Sequence, residues 1–148
     1  MVHSLQIKYY VPKNKINKLK SKLRKLLRKN WSIKMETRIK KINQLITGWV
    51  QYYKYANMKN HMEKIDSWVR RKLRAIKWKE WKTPKNRMKN LIKLGMDRKE
   101  AYIYSNTRKA YWRISKSWIL NKTLTNQYWI SQGFKSFSNY YNAVKIQS

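Results

Sequence analysis

The sequence predicts an all-α fold, with a bundle of three long helices followed by a smaller module of short helices. In three long segments, apolar residues recur every three or four positions, as they do along one face of a helix. The 148 residues include only 3 Gly and 2 Pro, so few positions interrupt a helix. Hydrophobic residues make up 42% of the chain, which is enough to form a core.

Each of the three long helices carries one apolar stripe. The first is expected at residues 14–29, with a stripe of Ile16, Leu19, Leu23, Leu26 and Leu27. The second is expected at residues 33–56, with a stripe of Ile39, Ile42, Ile46, Trp49, Val50 and Tyr53. The third is expected at residues 60–81, with a stripe of Ile65, Val69, Leu73 and Ile76. One apolar face per helix is typical of a helical bundle.

Capping residues mark two short helices after the bundle. Thr83 is placed as an N-cap with Pro84 at the first helical position, and Gly95 is a C-terminal stop. Asp97 and Glu100 have the spacing of a capping box, which predicts another helix start.

The rest of the chain predicts short elements. Helices are expected near residues 124–131 and 137–141, and residues 107–117 are expected to form a loop or a short extended piece. The only module boundary indicated lies at residues 82–84. We therefore predict residues 1–82 as the bundle and residues 83–148 as the smaller module.

The balance of charge indicates the partner. The chain has 37 Lys and Arg against 6 Asp and Glu, a net charge of +31, with no acid before Glu36 or after Glu100. A folded domain with this charge repels itself, and a polyanion would relieve that repulsion. The chain also has 8 Trp and 11 Tyr. Cations neutralise phosphates and aromatic rings stack on exposed bases, so the expected partner is nucleic acid, with RNA or single strands favoured.

Composition excludes several other classes. Without Cys, the chain has no disulfide, thiolate zinc site or cysteine nucleophile. His3 and His61 do not make a metal site, so no metal or cofactor is expected. No apolar run approaches the roughly 20 residues that span a bilayer, and the N-terminus lacks a signal peptide's apolar core. We expect no membrane partner, and a location with nucleic acid in the cytoplasm of a bacterium or an organelle.

Four motifs in order resemble one family. They are LITGWVQYYKYA at residues 45–56, DSWVRRKLR at 66–74, WKEWK at 78–82 and RKAYWRIS at 108–115. This order resembles the C-terminal part of a group II intron-encoded reverse transcriptase and maturase, where a GW-x-x-YY element lies in the thumb, or X, region. Residues 14–82 resemble that thumb. Residues 83–148 resemble the extension associated with the DNA target, through Leu91–Gly95, Tyr111–Arg113 and Gly133.

The resemblance implies a function and some limits. It implies binding of intron RNA, to support splicing and retrohoming, and a thumb that grips a template–primer duplex. The parent family is an RNA-directed DNA polymerase, whose two metal-binding carboxylates hold the reacting oxygens. This chain has no tyrosine-x-Asp-Asp motif and no room for fingers and palm before residue 14. We therefore expect no enzyme activity from this chain unless it assembles with a separate palm and fingers polypeptide.

Candidate binding residues come from three basic clusters and the GW-x-x-YY element. The RNA-binding candidates are Lys18, Lys22, Arg24, Lys25, Arg28, Lys29, Gly48, Tyr52, Arg70, Arg71, Arg74, Lys77, Trp78 and Trp81. The candidates for a DNA-facing surface are Arg108, Lys109, Trp112 and Arg113.

Alternatives stay open for two pairs of these candidates and for Asp66. Gly48 and Tyr52 fit a helix contact as well as an RNA contact. Trp78 and Trp81 are stacking platforms on a cationic face if the third helix continues that far. If it ends near Lys77, both rings are tucked under the second module. Asp66 has Arg70 one turn ahead, so a helix ion pair accounts for this acid better than catalysis.

Two other functions are compatible with the composition. A basic protein that coats any nucleic acid without sequence preference would carry the same charge. A cationic membrane-active protein would also have basic amphipathic helices, although capped short helices and many Trp favour a fixed fold.

Overall fold

The computed structural model describes residues 9–106 and 118–147. All regular secondary structure in these two ranges is α-helical, which confirms the predicted fold class. The helices found there are α1 (Lys13–Leu26), α2 (Met35–Tyr52), α3 (Lys59–Glu80), α4 (Pro84–Lys93), α5 (Arg98–Ser105), α6 (Trp118–Thr123), α7 (Asn126–Ser131) and α8 (Phe137–Gln147). Within the same ranges, none of the helices has both the length and the apolar character needed to cross a bilayer.

Helices α1 and α2 pack together through the apolar stripes predicted for them. Their buried apolar residues are Ile16, Leu19 and Leu23 on α1 and Met35, Ile39, Ile42, Ile46 and Val50 on α2. Burying one such side chain contributes roughly 1.5–3 kcal/mol relative to leaving it exposed. Both helices are shorter than predicted, since α1 ends before residue 29 and α2 ends before residue 56.

Arg38 binds the C-terminal end of α1 and the turn that follows it. Its side chain is 1% exposed although it carries a charge. The guanidinium donates to the backbone oxygens of Leu26, Arg28 (3.1 Å) and Trp31 (2.8 Å). Carbonyls at a helix C-terminus have no partner within the helix, and a cation also interacts favourably with the dipole there. Arg38 therefore holds the turn between α1 and α2, a role that its sequence position does not show.

Helix α3 matches the predicted third helix and is buried on more than one side. Its buried residues are Met62, Ile65, Asp66, Val69, Leu73, Arg74, Ala75, Ile76 and Trp78. This set includes the predicted stripe together with polar and aromatic residues outside it. The additional buried residues arise because later helices also cover α3, among them α8.

The predicted caps of the two short helices after α3 are confirmed. The hydroxyl of Thr83 accepts a 3.2 Å hydrogen bond from the backbone N–H of Asn86. The carboxylate of Asp97 accepts a 3.4 Å hydrogen bond from the backbone N–H of Glu100. Gly95 follows α4 with a φ of +98°, a conformation that favours glycine. With these ends fixed, α4 and α5 pack against each other.

The C-terminal helices differ in part from the prediction. Helix α6 was not predicted, while α7 and α8 lie close to predicted positions, and α8 extends beyond residue 141. The hydroxyl of Thr125 accepts from the backbone N–H of Tyr128 and caps α7. Residues 107–117, for which a loop or a short extended piece was predicted, lie outside the described residues.

Helix α8 packs on α2 and α3. Its residues Phe137, Tyr141 and Val144 are buried, and the ring of Phe137 meets Trp49 edge-on at 6.2 Å. The hydroxyl of Tyr141 donates to the backbone oxygen of Ala56. Buried apolar residues before and after residue 82 therefore form one cluster. The division into residues 1–82 and 83–148 stays a prediction.

Asp66 corrects the predicted ion pair with Arg70. Its carboxylate is buried and accepts hydrogen bonds from the backbone N–H groups of Phe137 (2.6 Å) and Ser138 (2.9 Å), and from the Ser138 hydroxyl. Burial raises the pKa of Asp66, while the bonds from Ser138 and Phe137 and the charge of Arg70 act in the opposite direction. Asp66 thus caps α8 from a different helix.

Candidate nucleic-acid interface

An open groove of about 400 Å³ lies between α1 and α2. We call it the lysine groove, and its lining residues are Lys15, Lys18, Leu19, Lys22, Gln44, Leu45, Gly48, Trp49, Tyr52 and Tyr53. The three lysines follow one another at helical spacing along α1 and are exposed. None of the described residues that line the groove is acidic, so these residues do not neutralise its positive charge from within.

Gly48 faces open space in the lysine groove. A Cβ placed on Gly48 would have no heavy atom within 4 Å outside its own helix and chain neighbours. The alternative that Gly48 admits a closely packed helix is therefore wrong within the described residues. A glycine inside a helix costs roughly 0.5–1 kcal/mol relative to alanine. The other alternative, that an RNA backbone approaches Gly48, stays a prediction.

Tyr52 stands beside the groove as an exposed ring. It is 79% exposed, although it follows directly on the buried stripe of α2. The ring centroids of Tyr52 and Tyr53 lie 4.7 Å apart with the rings edge-on, and those of Tyr53 and Trp49 lie 4.6 Å apart. The exposed ring is thus supported by two partly or fully buried rings. This arrangement suits stacking on a base next to phosphates held by the lysines.

Trp68 is an aromatic residue on the basic surface that the sequence-based candidates do not include. It is partly buried on α3, with the Arg24 guanidinium 5.7 Å and the Lys72 ammonium 5.9 Å from its ring. Burial lowers the pKa of Lys72, and the nearby charges of Lys29, Arg24 and Arg71 lower it further. One signal was available in the sequence, because Lys64 and Lys72 lie four residues before and after Trp68.

A second open pocket, of about 720 Å³, lies between α3 and the helices α6 and α7. We call it the arginine pocket, and its lining residues are Ser67, Arg70, Arg71, Arg74, Asn121, Asn126 and Gln127. The structure therefore brings together the three arginines predicted as one cluster. Arg70 and Arg71 are partly exposed, whereas Arg74 is buried.

The chain is similar to a known protein family over much of its length. The family model "Group II intron, maturase-specific domain" matches residues 16–95, which is more than half of the chain. The chain belongs to this family. No curated protein matches the chain.

The matched residues of this maturase-specific domain run from α1 to the end of α4. They include the lysine groove, apart from Lys15, as well as Trp68 and the arginines of the arginine pocket. This is the maturase-specific part of such proteins and not the polymerase active site. The amide wall of the arginine pocket, Asn121, Asn126 and Gln127, lies beyond the match.

Trp78 and Trp81 do not serve as stacking platforms in this maturase-specific domain. Trp78 is 0% and Trp81 is 6% exposed, and their rings meet at 5.9 Å. The guanidinium of Arg87 lies 4.6 Å from the Trp78 ring, and its Nε donates to the Trp78 carbonyl. Helix α3 does continue to Glu80, as predicted, and Arg87 from α4 packs on the Trp78 ring. Both rings are therefore buried, as the alternative predicted, although the helix does not end near Lys77 as that alternative required.

The remaining candidates fall into three groups. Lys25, Arg28 and Lys29 are exposed near the end of α1, and Arg28 lies 5.2 Å from the ring of Trp31. Lys77 is partly buried and pairs with Glu80 at 3.5 Å, so part of its charge is neutralised. The four DNA-facing candidates, Arg108, Lys109, Trp112 and Arg113, lie outside the described residues.

Proposed function

We propose that this maturase-specific domain binds group II intron RNA through the lysine groove and the exposed ring of Tyr52. The observation that carries the proposal is a groove with exposed lysines on one wall and an open glycine opposite, and with no acidic residue among the lining residues in ranges 9–106 and 118–147. Membership of the maturase family supports intron RNA as the polyanion.

The chemistry favours unpaired segments of a structured RNA. Lysine ammonium groups act as point charges that hold phosphates without reading sequence. The Tyr52 ring can stack only on a base that has left its own helix, as bases do in loops and bulges. Trp68, between Arg24 and Lys72, offers a second partly exposed ring at the α1–α3 surface. Specificity would then come from RNA shape together with exposed bases.

A competition assay tests this proposal. Labelled group II intron RNA is bound at about 0.15 M salt, where distant charges are screened, in the presence of excess tRNA and then of excess duplex DNA. We expect the intron RNA complex to survive both competitors. Equal displacement by tRNA would contradict the proposal and leave a basic protein that binds nucleic acid by charge alone.

A pair of tyrosine variants isolates the groove. Tyr52→Ala removes the exposed ring beside the groove, and Tyr102→Ala removes an exposed ring from α5 that lines neither described site. Base stacking contributes about 1–3 kcal/mol, so Tyr52→Ala should weaken intron RNA binding by roughly 5- to 100-fold. Tyr102→Ala should leave affinity unchanged. Equal effects of the two variants would argue against the groove.

Two finer parts of the proposal concern other partners. By resemblance, the C-terminal half contacts target DNA through Arg108, Lys109, Trp112 and Arg113. A palm and fingers polypeptide would supply the polymerase carboxylates. Combined alanine variants of the four residues should weaken binding to target DNA more than binding to intron RNA. Co-purification with a palm polypeptide would test the second part.

A further inference from the structure

The arginine pocket collects positive charge, and none of its described lining residues carries a carboxylate. Arg70 and Arg74 lie one turn apart on α3, with Arg71 between them, and all the other lining residues described are neutral. The nearest acid along α3, Asp66, directs its oxygens to the first turn of α8 and does not line the pocket. Among the described residues, the three guanidinium groups thus share one open space that no acidic side chain lines.

Arg74 is the most constrained of the three. It is 7% exposed, and its Nε donates to the Leu124 carbonyl at 2.9 Å while Nη2 donates to Oδ1 of Asn126 at 3.3 Å. Burial lowers its pKa to about 10, with a further contribution from the charge of Arg70. Both acceptors are neutral, and a buried charge is unfavourable unless an opposite charge accompanies it. The fold therefore holds a guanidinium in place at the edge of the pocket at a cost to stability.

The opposite wall carries a different chemistry. Asn121, Asn126 and Gln127 are exposed amide side chains contributed by α6 and α7. Amides both donate and accept, which matches the edge of a nucleobase. Arginine pairs with phosphate oxygens in a fork and also stacks on bases. At about 720 Å³, the pocket falls in the range of sites that hold small molecules, roughly 300–1,000 Å³.

We propose that the arginine pocket binds one phosphodiester group of single-stranded RNA together with the base next to it. The arginines on α3 hold the phosphate, and the amides on α6 and α7 contact the base edge. This inference rests on the proposed function for the identity of the polyanion. It adds a second site, separate from the lysine groove, at which the C-terminal helices help to select the nucleotide.

Matched variants test the pocket in the full chain. Arg70→Ala is compared with Arg98→Ala, which removes the same charge from an exposed position on α5. Gln127→Ala is compared with Gln132→Ala, an exposed glutamine just after α7. The probe is a single-stranded RNA of about eight nucleotides at about 0.15 M salt, within the usual range of single-strand sites. Circular dichroism confirms that each variant is folded.

The expected result distinguishes RNA binding in a specific pocket from RNA binding by overall positive charge. Arg70→Ala and Gln127→Ala should each weaken binding by roughly tenfold, the effect of one good phosphate or base contact. Arg98→Ala should have only the small effect of one lost charge, and Gln132→Ala should have none. If each pocket variant behaves like its control, the pocket proposal is wrong.

Nuclear magnetic resonance of the side chains identifies the ligand chemistry. The Nε–H signal of Arg74 should shift with the oligonucleotide and with inorganic phosphate, whereas the amide signals of Asn121 and Gln127 should shift with the oligonucleotide alone. Amides that do not respond to RNA would overturn the base contact. Failure of the proposed function is distinguishable, because it appears as loss of intron RNA to tRNA competitor even when these pocket signals respond.

Discussion

The carboxylate of Asp66 on α3 accepts a 2.6 Å hydrogen bond from the backbone N–H of Phe137, 71 residues further along the chain. The same carboxylate accepts from the backbone N–H of Ser138, and Ser136 caps the next N–H, that of Asn139. The first turn of α8 is therefore fixed partly from another helix. With the bond from Tyr141 to Ala56, which lies in the turn between α2 and α3, this attaches α8 both to α3 and to that turn.

Replacement of Asp66 should release that attachment. Asp66→Ala leaves the buried N–H groups of Phe137 and Ser138 without their acceptor, and each such loss costs about 1–3 kcal/mol. We expect the free energy of unfolding to fall by about 2–4 kcal/mol in urea denaturation. Asp66→Asn keeps one carbonyl acceptor and should cost less. An alanine variant as stable as wild type would show that the cap does not contribute.

The raised pKa of Asp66 predicts a pH dependence. Because burial raises this pKa, the folded protein holds a proton on Asp66 more tightly than the unfolded chain does. Its contribution to stability should therefore fall as pH rises from about 4, the ordinary value, through the folded pKa. The unfolding free energy of wild type, minus that of Asp66→Asn, should be larger at acidic pH than at neutral pH. A difference that grows with pH would mean that the hydrogen bonds outweigh burial.

Lys22 should contribute to RNA affinity through one phosphate. If Lys22 holds one phosphate in the lysine groove, Lys22→Ala should lower the slope of log affinity against log salt by about one unit, without changing sequence preference. Lys89→Ala, at an exposed position on α4 outside both described sites, is the control and should change the slope less. Titrations of intron RNA at several salt concentrations measure both slopes.

Two substitutions at Gly48 should affect stability and RNA binding differently. A methyl group fits there without a clash, so Gly48→Ala should raise stability by about 0.5–1 kcal/mol through helix propensity. Gly48→Gln should also fold, but its side chain would occupy the groove and weaken intron RNA binding. Thermal unfolding and a binding titration measure the two effects. Normal RNA affinity in the glutamine variant would place the RNA elsewhere.

Alanine substitutions of Trp78 and Trp68 should have contrasting effects on stability and RNA binding. Trp78 is fully buried, so Trp78→Ala should cost about 3–5 kcal/mol of stability. Trp68 is partly exposed between two cations, so Trp68→Ala should change stability less and RNA binding more. Urea denaturation and intron RNA titrations of both variants check the contrast. Loss of RNA binding by a folded Trp78 variant would restore that residue as a contact.

Local patterns account for most of what the sequence predicted correctly. The stripes of α1 to α3 follow from helical periodicity, and the Thr83 and Asp97 caps depend on residues only three positions away. The exposed lysines of α1 were identified because no acid lies near them in sequence. These features require no knowledge of which helices meet.

The errors arise where distant parts of the chain meet. Whether Trp78 faces solvent depends on residues beyond α3, such as Arg87 of α4, and the α3 pattern is the same in either case. The role of Asp66 depends on a partner 71 residues away, while the local pattern indicated Arg70. The arginine pocket is half built by α6 and α7, so its amide wall could not be assigned from the α3 cluster alone.

The attachment of α8 also has a consequence for folding kinetics. The bond between Tyr141 and Ala56 joins residues 85 positions apart, and the Asp66 cap closes a loop of similar length. Contacts so distant in sequence slow folding relative to a bundle built from neighbouring helices. During synthesis, α3 would leave the ribosome before α8. Until α8 follows, the Asp66 carboxylate would lack the N–H groups that donate to it, and the core would be incomplete. The arginine pocket, which needs α6 and α7 for its amide wall, would also be completed only after α3 has been synthesised.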